Sequence, residues 1–109
     1  MKHKLILRQG DVLVVAVDSI PDNATEIKRN ALGVVLAEGE VTGHAHRIPS
    51  RHATLYRSES DARFLRVMGP APVALNHEEH STVKIPPGSY QIRIHQEYQP
   101  GELPRQVAD

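Results

Sequence analysis

Two histidine pairs carry the chemistry this sequence offers: Gly43-His44-Ala45-His46 in mid-chain and His77-Glu78-Glu79-His80 further on. The 109 residues include seven histidines and no cysteine, so imidazole and carboxylate are the metal-ligating side chains available. These groups bind Zn²⁺, Fe²⁺, Mn²⁺ or Ni²⁺, with zinc the first expectation for a histidine-rich site. His44, His46, His77 and His80 are the candidate ligands of one mononuclear divalent ion. Three imidazoles with an open position would activate water, because bound Zn²⁺ lowers the pKa of its water to about 7. Glu78 or Glu79 would then be the catalytic general base for hydrolysis or hydration of a small molecule. Four protein ligands would instead close the site into a structural one.

The backbone must bring the pairs together. Residues i and i+2 of a strand share a face, so in Val41 to Ile48 the residues Thr42, His44, His46 and Ile48 lie on one side. Ile48 marks that side as inward and Arg47 marks the other as outward. Gly43 removes a side chain next to the pair, leaving room for a neighbouring strand or ligand. Ala71, Val73, Leu75 and His77 likewise share an inward face. His80 has the opposite parity in a straight strand and joins His77 only through a turn or bulge. Otherwise His80, Glu78 or Glu79 would serve as a partner that orients a ligand imidazole. His3 in the terminal segment, His52 after Pro49-Ser50-Arg51, and His95 between Arg93 and Glu97 read as solvated. Ser81-Thr82-Val83-Lys84 spells SxxK but falls on an apparent strand rather than a helix start, so it reads as chance.

The surrounding pattern is β throughout. Asp11 to Val17 is a continuous apolar run, the mark of a strand covered on both faces. Shorter runs follow at 34–37, 53–57, 62–68, 73–77 and 83–85. Tyr90 to Tyr98 alternates most regularly, with Tyr90, Ile92, Ile94, Gln96 and Tyr98 on one face. Turn residues separate the runs, and Pro86-Pro87-Gly88-Ser89 predicts a type II turn. The expectation is an all-β domain over residues 1–98, an antiparallel sandwich or jelly-roll-like barrel of about eight or nine short strands. Residues 99–109 form a polar C-terminal extension.

Composition narrows the function classes. Thirteen basic residues balance thirteen acidic ones, and no basic face offers itself to nucleic-acid phosphates. No stretch has the length of a membrane span, and the N-terminal apolar run is too short for a signal peptide. Absence of cysteine fits a cytoplasmic protein. Three Tyr, one Phe and no Trp argue against a stacking platform for sugars or single-stranded nucleic acid. A homo-oligomer is expected of a small β domain with edges to cover.

The blocks Leu7 to Leu13, Leu36 to His46, His77 to His80 and Ile85 to Tyr90 resemble a small uncharacterised family of bacterial and phage genomes. That resemblance implies no activity. A partial second resemblance is to the cupins, jelly-roll barrels whose first motif supplies an HxH metal pair after a glycine. Four residues stand between Gly39 and His44, where that pattern has five, and the acid expected soon after the pair is missing from Arg47 to Arg51. Gln91 stands where the later cupin motif has its third histidine. The resemblance therefore implies a β-barrel with an internal HxH site and leaves the third ligand unassigned.

Three readings compete: a metal-activated-water enzyme acting on a small molecule, a non-catalytic metal-stabilised binding or assembly module, and a metal-free hydrogen-bonded histidine network. An open coordination position marks the first, unfolding by chelator the second, and indifference to chelator the third.

Overall fold

The computed structural model describes residues 5–38 and 43–94, which form ten antiparallel strands and no helix. They are β1 (Ile6–Gln9), β2 (Val12–Ala16), β3 (Thr25–Ile27), β4 (Val34–Glu38), β5 (Ala45–Ile48), β6 (Ala53–Arg57), β7 (Arg63–Val67), β8 (Val73–Leu75), β9 (Val83–Ile85) and β10 (Gly88–Ile94). Six make one sheet in the order β1-β2-β10-β7-β6-β3, while β4-β5 and β8-β9 are two-stranded ribbons. The ribbons are joined where Arg47 of β5 pairs with Asn76, the residue after β8. The expected all-β architecture is present as a sandwich-like packing of these layers.

The core lies between them. Val12, Val14, Leu55, Leu65, Val67, Tyr90 and Ile92 come from the six-stranded sheet; Val34, Leu36, Ile48, Val73, Leu75 and Ile85 come from the ribbons. Alternation explains this selection, since inward residues recur every second position along each strand. β8 shows it plainly, with Val73 and Leu75 buried around a half-buried Ala74. In β2 the core face is Val12 and Val14; on the opposite face Val15 is buried and Leu13 half-buried.

The chain departs from the sequence expectation in several places. β1 and β3 are additional strands. β1 keeps Ile6 exposed, and β3 has a single apolar residue in three, so neither shows readable periodicity. Gln9 pairs with Val12, leaving Gly10-Asp11 as a two-residue hairpin loop. Gly10 takes φ +58°, as the first central position of a type II′ turn requires. The type II turn expected at 86–89 is not formed: Gly88 has φ +153° and already belongs to β10, paired with Val67. Pro86 and Pro87 instead carry the chain from ribbon to sheet, and the Tyr90 hydroxyl donates to the Pro86 carbonyl at 2.6 Å. The strand expected from Val41 begins at Ala45, after Gly43 at φ +88°. Val41, Thr42, Gln96, Tyr98, His3, His95 and the 99–109 extension lie outside the described residues.

Leu75 is fully buried and ends β8 two residues before His77. Leu75→Ala is expected to cost about 2–5 kcal/mol through lost transfer energy and the cavity left behind. Ile94→Ala, at a half-exposed site, should fall within about 0.5 kcal/mol of wild type. Urea unfolding of both variants measures the contrast.

Candidate metal centre

β5 delivers the first histidine pair. His46 and Ile48 are buried and Arg47 is half-buried, so the inward parity read from sequence holds for these two. Ala45 is buried as well, and His44 lies just ahead of the strand, half-buried. Opposite His46 stands Ala37 of β4, immediately after a register shift between Val35 and Ala37. Such a bulge re-aims the side chains beside it.

The second pair hangs from the loop that closes the β8-β9 hairpin, whose last strand pair is Leu75 with Val83. Thr82 Oγ1 donates to Asn76 Oδ1 at 3.0 Å across the loop base. The segment turns rather than running straight, so His80 comes back beside His77. Backbone bonds from Arg47 N–H to the Asn76 carbonyl (3.0 Å) and from Asn76 N–H to the Arg47 carbonyl (2.8 Å) hold this loop against β5.

The four rings therefore meet. Centroids of His46 and His77 are 4.3 Å apart, those of His77 and His80 4.8 Å, and those of His46 and His80 5.9 Å. His44 approaches His77 edge-on at 5.8 Å. The closest set of possible ligand atoms belongs to His44, His77 and Glu78, all within 4.8 Å of one another. His46 and His80 flank that trio without belonging to it.

Further contacts come from the β1-β2 turn. The buried Gln9 side chain places Oε1 2.8 Å from His46 Nδ1. Its amide nitrogen donates to the carbonyls of Leu75 (2.8 Å) and Ser81 (3.0 Å). Next to it, a Cβ on Gly10 would lie 2.6 Å from His80 Nε2, so this glycine supplies both the turn conformation and the space for the ring. The sequence marks Gln9-Gly10-Asp11 only as a turn. The readable signal was the polar Gln9 ending an apolar segment, but its partners are 66 and 72 residues away.

Electrostatics separate the two glutamates. Glu78 Oε1 accepts the Ala45 N–H at 3.0 Å and Oε2 accepts from Arg47 Nη1 at 2.9 Å. The Ala45 bond, then a bond to its own backbone and the Arg47 charge, keep its carboxyl below the usual glutamate range. Glu78 is thus an ionised clasp between β5 and the loop. Glu79 is exposed, with Oε2 3.2 Å from His44 Nδ1. That approach lacks hydrogen-bond alignment, and His44 Nδ1 is buried without a hydrogen-bond partner. The Glu79 N–H donates to His77 Nδ1 at 3.0 Å, so any cation taking that nitrogen competes with this amide.

Burial, and then the neighbouring His77 and His80, lower His46 from 6.5 to about 4. His46 is therefore neutral near pH 7 and keeps one lone pair for a Lewis acid. His52 is exposed. Gln91, at the cupin-like position, is on β10 and bonds Arg93; the rings beside His46 come from the 77–80 loop instead. A groove of about 660 Å³ opens elsewhere, lined by Ile27, Val34, Leu36, Arg63, Ile92 and others, and no histidine of the cluster lines it.

A family model described as a domain of unknown function (DUF8820) matches residues 8–104. No curated protein and no solved structure matches the chain.

The lowered His46 sets a pH dependence for the metal-free protein. The folded state resists protonation down to about pH 4, whereas the unfolded chain takes up the proton near 6.5. Below 6.5 the unfolded state binds more protons, so this contribution is complete above 6.5 and is lost as pH falls towards 4. Thermal melts in chelator should show a falling Tm across that window, with a shallower slope above pH 4.5 in His46→Asn. Glu78, lowered from 4.5, adds its own loss only below that value.

Proposed function

The chain belongs to this family of unknown function, so its role must be argued from its own site. We propose that it binds a divalent metal ion, zinc first, where the His44/His46 segment meets the His77/His80 loop. One observation carries the reading: four imidazoles from two distant segments converge around a histidine that is buried and held neutral. Leaving a buried ring nitrogen unpaired is costly, and a cation bound to its lone pair removes that cost. The unpartnered Nδ1 of His44 is the nitrogen with most to gain.

His44, His77 and Glu78 are the starting ligand set, with His46 and His80 at hand to complete it. Three protein ligands would leave a position for water, which the metal would make a nucleophile near neutral pH. Glu79 is the stronger candidate for general base, because both Glu78 oxygens already accept hydrogen bonds. The substrate class is a small molecule open to hydrolysis or hydration, with iron, manganese and nickel as the alternative metals.

A second reading, a metal-stabilised module without catalysis, is favoured by the position of the 660 Å³ groove away from the histidines. In that case a fourth protein ligand closes the site.

Elemental analysis of untagged protein is expected to find about one metal ion per chain, and a His44→Ala/His77→Ala variant to carry none. At a hundredfold excess over Kd, zinc should stabilise the wild type by about 2.7 kcal/mol. Absence of metal, with no rise in Tm on adding any of the four ions, would sink the reading. In ¹H–¹⁵N spectra zinc should also shift the Glu79 amide, since the ion competes with it for His77. Catalysis and a purely structural role separate on a Glu79→Gln variant: lost hydrolysis or hydration activity with retained metal marks the former.

A further inference from the structure

The Gln9 carboxamide is buried, and both of its N–H groups are spent, on Leu75 O at 2.8 Å and Ser81 O at 3.0 Å. Rotating the amide by half a turn would set its oxygen against two carbonyl oxygens. Oε1 must therefore be the atom that faces His46 Nδ1 at 2.8 Å. An amide oxygen can only accept, so Nδ1 must donate. A neutral imidazole has one ring proton, and placing it on Nδ1 leaves Nε2 bare.

We infer that Gln9 is a positioning residue that fixes His46 as the Nδ1–H tautomer and reserves its Nε2 lone pair for a Lewis acid. Histidines that bind metals are commonly oriented this way, by an acceptor on the nitrogen remote from the ion. Here the acceptor is an uncharged amide held by carbonyls at both ends of the 76–80 segment. The same side chain thus sets the tautomer of His46 and the placement of the His77/His80 loop. Its neighbour Gly10 leaves the space in which the His80 ring lies. The Gln9-Gly10 turn is the wall on which the cluster is built. The effect on metal affinity rests on the function proposed above, whereas the tautomer does not.

The test is the long-range ¹H–¹⁵N spectrum of His46 in metal-free protein near pH 7.5, together with zinc titrations. Wild type is expected to show the proton on Nδ1. Gln9→Met, of similar volume but without an acceptor, should lose the single tautomer. Zinc affinity should fall by about 10–100-fold in Gln9→Met. A wild-type His46 protonated on Nε2 overturns the inference, as does a Gln9→Met variant with an unchanged spectrum or unchanged zinc affinity. If Gln9→Met does not fold, the wild-type spectrum decides. If wild type takes up no zinc, the metal function fails and the spectrum still decides the tautomer.

Discussion

Arg47 and Asn76 exchange two backbone hydrogen bonds, and the arrangement of the chemistry depends on this small junction. Each ribbon alone has two strands, a unit that is marginal in water by itself. Pairing Arg47 with Asn76 couples them and sets the register between the histidine segments, with His46 one residue before the junction and His77 one residue after it. Because strand side chains alternate, a slip of one residue would turn His46 to solvent and Arg47 to the core. The Glu78 carboxylate reinforces the register by accepting from the Ala45 backbone and the Arg47 guanidinium. Backbone and side chain thus specify one alignment.

Around this junction the molecule solves a packing conflict. Leu36, Ile48, Leu75 and Ile85 form a fully buried apolar core, while polar imidazoles and a carboxamide must be accommodated close by. Leaving one buried donor or acceptor unpaired costs about 1–3 kcal/mol. Gln9 meets that cost with three partners. His44 Nδ1 does not, and this unpartnered nitrogen belongs to the one trio of close ligand atoms found among the described residues. The unpaired nitrogen therefore coincides with the site for which a metal is proposed.

Much of this was legible in the sequence because it depends on a period of two. The inward direction of His46 followed from Ile48 two positions on, and that of His77 from Val73 and Leu75. The turn chemistry of 76–81 allowed His80 to rejoin its neighbour. The illegible parts depend on distance along the chain or on competition between partners. Nothing near Gln9 announces bonds to Leu75 and Ser81. Glu78 reads as a catalytic base because it lies between His77 and His80, and only the folded chain shows both of its oxygens already occupied. β3 was missed because three residues with one apolar side chain carry no period. The 86–89 turn was misread because Pro-Pro-Gly also suits a chain crossing between layers, where Gly88 joins a strand.

The Gln9 contacts also order events in time. The carboxamide reaches carbonyls 66 and 72 residues away, and closing loops of that length is entropically slow compared with forming hairpins. The N-terminal hairpin and the β4-β5 ribbon can form early from neighbouring residues. The wall of the cluster cannot be finished until Ser81 has arrived. During synthesis, a chain that exposes only His44 and His46 offers an incomplete and unoriented grip. Assembly of the four-ring cluster therefore requires that the segments carrying Gln9, Leu75 and Ser81 have already come together.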